Sequence, residues 1–245
     1  MARLFYDARG AEIAMKKIGL IGGVGPESTL DYYARIIHAF RAGKAEADYP
    51  EIIIYSANLA ELMVILKTGD MDTLVDWLVD KVQALHRAGA DFAAIGSNTP
   101  HVVFEEVAAR SPIPLVSIVA ATRQKAASLG LKKLGLMGTL FTMQADFYPR
   151  AFAAGGMSVV APDTESQQLI QHRLETEIEL GVLKDSTREE LLTIAKGMIE
   201  QDDIEGVILG CTELPLILTQ TAYDGVPFLN TAAIHVNSIV ETCRG

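Results

Sequence analysis

The chain repeats three segments in the same order and at nearly the same spacing. KKIGLIGG begins at position 16 and KKLGLMGT at 132, while RAGADFAAIGSNT begins at 87 and QDDIEGVILGCTE at 201. A third pair, IPLVSIVAAT and VPFLNTAAIH, begins at 113 and 226. The offsets of 116, 114 and 113 residues agree more closely than those of unrelated strands that share only Val, Ile and Gly. We therefore expect two similar halves.

Each half alternates short apolar strands with amphipathic helices. The pattern predicts strands at 18–21, 52–55, 92–95, 134–137 and 207–209, and helices at 26–40, 71–87, 100–109, 143–153, 165–180 and 188–201. This alternation is typical of parallel sheets that helices cover on both faces. The predicted fold class is α/β, with two pseudo-symmetric domains and mainly parallel sheets. Ligands of such sheets bind beyond the carboxyl ends of the strands, so we expect the active site in the cleft between the domains.

The repeats also predict the domain boundaries. Residues 15–117 together with 230–245 are expected to form the first α/β domain, and residues 118–229 the second. A second methionine, Met15, directly precedes the first strand. We therefore expect residues 1–14 to be a leader outside the fold.

Charge and cysteine content narrow the possible partners. The 21 Lys and Arg residues against 31 Asp and Glu give a net charge of −10, which argues against nucleic acid and membrane partners. Two cysteines are too few for a secreted disulfide scaffold of this size, and no apolar run reaches transmembrane length. The composition therefore favours a cytoplasmic protein.

Short polar residues follow several of the predicted strands. Cys211 lies at a strand end where the backbone dipole of a following helix lowers a thiol pKa, although many free cysteines are simply small buried apolar residues. Asn98, Thr99 and Thr212 occupy similar junctions, and Thr139 and Thr142 follow another. Such residues often cap helices, but their recurrence at one edge favours a shared ligand with carboxylate or amino groups.

The glycine turn of GGVGPES is expected to bind a small anion rather than a nucleotide. Ser28 stands where a dinucleotide fingerprint has its third glycine, and no acidic residue ends the second strand. Gly23, Val24 and Gly25 instead offer backbone N–H groups at a helix start. The cysteines and histidines lack metal-ligand spacing, so we expect no metal site.

Four of these motifs together resemble the aspartate/glutamate racemase family: KKIGLIGGVGPEST, SNTPH, GVILGCTE and TAAIH. The resemblance extends from Met15 to nearly the end of the chain. It implies inversion at the α-carbon of an acidic amino acid, without metal or pyridoxal phosphate, in an enzyme that is commonly a homodimer. It assigns the proton transfers to Cys211 on one face and Ser97 on the other. The residues that it implies for substrate binding are Gly23, Val24, Gly25, Asn98, Thr99, Thr139 and Thr212.

The chain departs from the family pattern at several positions. Many relatives have cysteine where this chain has Ser97, which implies a bias toward one enantiomer. Met63 and Glu179 occupy the places where relatives hold the distal carboxylate with basic residues, and Lys67 and Arg173 are the nearby substitutes.

Two other functions remain open at this stage. The single Cys211 fits a decarboxylase or isomerase of a small dicarboxylic acid, because such a reaction needs only one proton-donating thiol. The serine at position 97 fits a catalytically impaired protein that only binds a dicarboxylate.

Overall fold

The first half of the chain builds one parallel sheet. The computed structural model describes residues 15–41 and 48–245, so the leader expected over residues 1–14 lies outside the described residues. The elements of this half are β1 (Ile18–Gly22), α1 (Pro26–Arg41), β2 (Ile52–Ser56), α2 (Leu59–Thr68), α3 (Met71–Arg87), β3 (Phe92–Ile95), a 3₁₀ helix (Thr99–Val103), α4 (Phe104–Arg110) and β4 (Leu115–Val116). The strand order is β2-β1-β3-β4, and all pairs are parallel.

The second half builds a five-stranded sheet. Its elements are α5 (Ile118–Ser128), β5 (Lys133–Met137), α6 (Leu140–Gln144), α7 (Phe147–Ala153), β6 (Ser158–Val160), α8 (Thr164–Thr176), a second 3₁₀ helix (Ile178–Leu180), α9 (Asp185–Asp202), β7 (Gly206–Leu209), α10 (Leu214–Ile217), β8 (Ala222–Tyr223), β9 (Val226–Asn230) and α11 (Thr231–Arg244). The order is β6-β5-β7-β9-β8, with only the edge strand β8 antiparallel. The predicted α/β fold with mainly parallel sheets is confirmed.

The chain divides into two compact units. The first contains the described residues up to Gly96, Val103–Val116 and His235–Gly245, and the second contains Ser97–Val102 and Ser117–Ile234. Residues 97–102 thus belong to the second unit, whereas the sequence-based division assigned them to the first domain. The exact domain boundaries expected from the sequence stay a prediction.

Each unit has its own apolar core. In the first, β1 is buried on both faces, and α1 buries Tyr32, Ile36 and Phe40. In the second, β5 and β7 pack with α7, α8 and α9 around Leu136, Phe152 and Ile208. Strands covered on both faces need continuous apolar runs, which explains why the strands were recognisable from sequence. Within residues 15–41 and 48–245, no helix combines the length and apolar character needed to span a membrane.

Gly23 lies in the tight turn after β1. Its φ is 76°, and a Cβ at this position would come within 2.3 Å of the Ala57 carbonyl oxygen and 2.6 Å of the Ala57 nitrogen. Its N–H donates to Thr29 Oγ1 at 2.8 Å. The glycine therefore allows the chain after β2 to pack against this turn.

We expect Gly23→Ala to destabilise the protein far more than Gly69→Ala. Gly69 has a similar φ of 71° but open space where a Cβ would lie, so its replacement costs only the left-handed backbone strain, about 1–2 kcal/mol. At Gly23 the clash with backbone atoms adds at least about 2 kcal/mol to the same strain. Urea unfolding of both variants measures the difference, and equal losses in the free energy of unfolding would contradict the clash.

His235 is a fully buried histidine in the first unit. Its Nε2–H donates to the Val116 carbonyl at 2.9 Å, so Nδ1 accepts the hydrogen bond of Tyr32 Oη at 2.8 Å. Burial is the main cause that lowers the pKa of His235 to about 4. The ring is therefore neutral in the folded protein near neutral pH.

We expect His235 to make the folded state lose stability as the pH falls from about 6.5 to about 4, because only the unfolded chain binds the proton in this window. The depressed pKa corresponds to about 3 kcal/mol. Urea unfolding across this range tests it. His235→Gln, which retains a donor and an acceptor, should flatten the pH slope, whereas His86→Gln at an exposed site on α3 should not. An unchanged slope in His235→Gln would contradict the assignment.

Candidate active site

The polar strand ends of the second unit gather at one edge of its sheet. Strands β5, β7 and β9 are adjacent and parallel, with Met137 opposite Leu209 and Leu209 opposite Asn230. Residues that directly follow these strands therefore lie side by side. Thr139 follows β5, and Cys211 and Thr212 follow β7.

Three threonine hydroxyls form a cluster at this edge. Thr139 Oγ1 donates to Thr142 Oγ1 at 2.9 Å, and Thr99 Oγ1 lies 3.3 Å from Thr139 Oγ1 and 3.2 Å from Thr142 Oγ1. Thr139 also caps α6 by accepting the N–H of Thr142. Thr139 is thus both a helix cap and a member of the hydroxyl cluster that it forms with Thr99 and Thr142.

Asn98 is buried, and its amide is held from both ends. Its Oδ1 accepts the Tyr148 hydroxyl at 2.7 Å, and its Nδ2 donates to Thr231 Oγ1 at 3.2 Å. Thr231 in turn donates to the Leu209 carbonyl at 2.7 Å. Burial raises the pKa of Tyr148, which keeps its hydroxyl protonated as a donor. Among the described residues, only one N–H of the Asn98 amide has an acceptor, so the other can donate to a ligand.

Cys211 is buried beside a carboxyl group. Its S–H donates to Glu213 Oε2 at 3.1 Å, and the Thr212 hydroxyl donates to the same oxygen at 2.8 Å. Burial first, and then the charge of Glu213, raise the pKa of the Cys211 thiol well above its usual value. The sequence-based expectation was a lowered pKa. The backbone N–H of Glu213 does act in that direction, but the following helix α10 has only four residues, and burial and Glu213 outweigh it.

Ser97 lies at the equivalent strand end of the repeat, half-buried. Its carbonyl accepts the Nδ1–H of His101 at 2.8 Å, and His101 Nε2 accepts the N–H of Ile118 at 3.2 Å. His101 therefore supports the backbone here. Within the described chain, the Ser97 hydroxyl shows no hydrogen bond that would activate it as a base.

The remaining expected site residues are placed differently. Gly23, Val24, Gly25 and Lys67 belong to the first unit, where the Gly23 N–H is already used by Thr29. Arg173 is held by two carboxylates: its Nε and Nη2 donate to Glu190 at 2.8 and 2.9 Å, and its Nη1 donates to Glu177 at 2.8 Å. Substrate binding by these residues stays a prediction, and the engaged guanidinium does not favour it for Arg173.

Three residues of this site were missed in the sequence. Glu213 could have been predicted, because the motif GCTE places a carboxyl group two positions after the thiol. Tyr148 and Thr231 were not, because their contacts with Asn98 join residues 50 and 133 positions apart. In the part of the chain that the structure describes, no group of three or more His, Cys, Asp or Glu side chains could hold a metal ion.

Comparisons with known proteins agree on one family. The profile of the Asp/Glu/hydantoin racemase family matches residues 21–239. The broad specificity amino-acid racemase RacX of Bacillus subtilis is 26% identical over 92% of this chain and 97% of its own length. The crystal structure of an aspartate racemase homologue from Pyrococcus horikoshii is 37% identical, with a TM-score of 0.81, covering 94% of this chain and 100% of that one.

The aspartate racemase structure from Picrophilus torridus has a TM-score of 0.76 over 93% of this chain and 94% of that one, and at 19% identity it supports the fold alone. The family profile covers most of the sequence, including every candidate residue of the second unit. The chain therefore belongs to the Asp/Glu/hydantoin racemase family.

Proposed function

We propose that this protein is a cofactor-independent amino-acid racemase in which Cys211 exchanges the α-proton of the substrate. The observation that carries the proposal is the buried thiol at the end of β7, hydrogen-bonded to Glu213 at 3.1 Å beside the threonine cluster. Membership of a racemase family supports the same reaction class. With only two cysteines in the chain, we place the reaction in the reducing cytoplasm.

The first step makes the thiol a base. The raised pKa of Cys211 means that its sulfur is protonated before substrate binds. We propose that this proton moves along the hydrogen bond to Glu213 Oε2, which leaves a thiolate and a neutral carboxyl group without changing the net charge. The thiolate then takes the α-proton, and the electron pair of the broken C–H bond stays on the substrate, where its carboxylate delocalises it.

The hydroxyl cluster stabilises the charge that develops on the substrate carboxylate. Thr139 already donates its O–H to Thr142, and Thr142 is fully buried, so Thr99 is the member of the cluster that can direct an O–H toward a ligand. The remaining N–H of Asn98 and the hydroxyl oxygen of Thr212 complete the polar set that we assign to the α-carboxylate and α-amino groups. Donors aimed at developing charge are a large source of rate acceleration.

Ser97 is assigned to proton return on the opposite face. A serine hydroxyl is far less acidic than a thiol, and this one has no activating partner among the described residues. The proposal therefore includes unequal rates for the two enantiomers. Aspartate and glutamate are the substrates expected from the family resemblance, whereas the name of the Bacillus subtilis relative points to a wider range.

A decarboxylase of a small dicarboxylic acid is the second candidate. The raised pKa of Cys211 favours it, because that reaction needs a protonated thiol to deliver a proton to the carbanion. Loss of carbon dioxide from a malonate-type acid, without α-proton exchange in amino acids, would support this candidate over the racemase.

We expect Cys211→Ala to lower α-proton exchange by about 10²–10⁴-fold, the usual contribution of a general acid or base. Exchange and inversion are followed by NMR in heavy water with both enantiomers of aspartate, glutamate and other amino acids. Cys243→Ser is the matched control: that buried cysteine donates to the Lys16 carbonyl at 3.1 Å, a bond that serine retains. Equal loss in both variants would refute the assignment of Cys211.

The same assay on Ser97→Cys tests the proposed return of a proton to the α-carbon on the face opposite Cys211. A thiol at this position should bring the exchange rates of the two enantiomers closer together. Exchange in the parent protein without inversion would mean that Ser97 does not complete the transfer. Substrate binding without exchange in any variant would instead indicate the impaired binding protein.

We also propose that the enzyme is a homodimer whose two chains contact each other through α2. This helix is apolar nearly all round and exposes Met63 and Val64. In the chain it follows β2, which is the edge strand of its sheet. A two-fold axis through Val64 would bring α2 antiparallel to its copy and place Glu61 opposite Lys67. Such self-complementary charge suits a contact between identical chains.

Val64→Glu should convert this dimer to a monomer, as measured by light scattering. Leu30→Glu is the matched control, because Leu30 on α1 is 64% exposed and Val64 is 62% exposed. A monomeric mass for the parent protein, or dissociation by both variants alike, would contradict the proposed surface.

A further inference from the structure

The ring and the hydroxyl of Tyr148 on α7 have separate partners. The ring lies in the apolar core of the second unit, with its centroid 5.2 Å from that of Phe147 and 5.8 Å from that of Phe152. The hydroxyl donates to Asn98 Oδ1 at 2.7 Å. The side chain is completely buried, so neither part of it is in contact with solvent. Packing at this position needs only the ring, and the hydroxyl serves Asn98.

The amide group of Asn98 has two ends of nearly the same shape. A half-turn that exchanges its oxygen and nitrogen changes little in the packing, so the hydrogen-bond partners decide which orientation is populated. Thr231 donates its own proton to the Leu209 carbonyl at 2.7 Å, so its oxygen accepts from Asn98 Nδ2, at 3.2 Å. At the other end, burial raises the pKa of Tyr148, so its hydroxyl stays protonated and donates to Oδ1. Both partners therefore select the same orientation.

Tyr148 forms the shorter of these two bonds, at 2.7 Å against 3.2 Å for Thr231. Without the Tyr148 hydroxyl, Asn98 Oδ1 would be a buried acceptor that has lost its donor, which weakens the preference for the observed orientation. A half-turned amide would place a carbonyl lone pair where the available N–H of Asn98 now lies. A carboxylate ligand binds an N–H but is repelled by a carbonyl oxygen.

We infer that Tyr148 is a positioning residue of the site: its hydroxyl fixes the Asn98 amide so that an N–H, and not the carbonyl oxygen, is presented to an anionic group of the substrate. This inference rests on the proposed racemase function. Tyr148 is completely buried and acts on the substrate only through Asn98. An N–H held in place before the reaction is a donor that needs no rearrangement as negative charge develops on the substrate.

The first test removes the hydroxyl and keeps the ring. Tyr148→Phe should lower kcat for α-proton exchange by about ten- to a hundredfold, with KM changed much less, because the donor acts mainly on the charge that develops during the reaction. Tyr32→Phe is the matched control: Tyr32 is also completely buried, and its hydroxyl is bonded to His235 Nδ1 at 2.8 Å in the first unit. It should lose stability without losing kcat. Equal kcat values in the two variants would overturn the inference.

A double variant separates positioning from a general effect on the fold. Asn98→Ala should lower kcat by about a hundredfold or more. Adding Tyr148→Phe to Asn98→Ala should cause no further loss, because the hydroxyl then has no amide group to orient. If Tyr148→Phe lowers kcat by the same factor with and without Asn98, it acts independently of the amide, and the inference is wrong.

NMR of the substrate-free protein tests the orientation without any activity. The side-chain amide signals of Asn98 are those missing from Asn98→Ala. In the parent and in Tyr32→Phe, one of these protons should show a nuclear Overhauser contact to the Thr231 methyl group, and this contact should weaken or disappear in Tyr148→Phe. An unchanged contact would overturn the inference. Absence of Cys211-dependent exchange in the parent would instead overturn the racemase proposal, and the NMR result alone would then decide whether Tyr148 orients Asn98.

Discussion

The hydrogen bonds of Asn98 hold the polar strand ends of the second unit in register. Leaving a buried amide group without one of its hydrogen-bond partners costs about 1–3 kcal/mol, so the hydrogen bonds of Asn98 hold its partners in position. Thr231 begins α11 directly after β9, and the Leu209 carbonyl ends β7. Asn98 therefore ties the segment after β3 to the ends of two neighbouring strands. The next residue, Thr99, is thereby held against Thr139 and Thr142.

The two repeated strand ends share their backbone plan but not their chemistry. After β7, the carboxyl group of Glu213 binds the side chain of Cys211. After β3, the neighbouring side chain is His101, and its ring binds the backbone carbonyl of Ser97 rather than the Ser97 hydroxyl. The difference between the two ends thus lies in the neighbouring residues as well as in the replacement of sulfur by oxygen. A thiol with a proton acceptor and a hydroxyl without one are unequal partners in any proton exchange.

Hydrophobic periodicity in the sequence predicted those helices whose ends are set by residues close to them in the chain. Helix 71–87 matches α3 because its apolar period is strong and Asp70 caps it by accepting the N–H of Thr73. Helix 165–180 instead ends at Thr176, because Glu177 leaves the helical conformation, with φ −134° and ψ −67°, while its carboxylate is held by Thr187, Lys184 and Arg173. Helix α2 was not predicted, since a helix that is apolar on nearly every face has no amphipathic period. The same limit applies to the site: Cys211 and Thr139 stand out at strand ends, whereas Tyr148 is brought to Asn98 only by tertiary packing.

The hydrogen bond between Cys211 and Glu213 couples the charge around the thiol to its protonation. In the absence of substrate, burial and Glu213 keep the thiol protonated, and a protonated thiol is a poor nucleophile and resists oxidation. In the proposed mechanism, the α-ammonium group of a bound amino acid would offset the charge of Glu213, which removes part of what raised the thiol pKa. Binding also displaces water, so the gain from this compensation is larger than it would be in solution. In the racemase that we propose, the bound substrate thus helps to generate the base that deprotonates it.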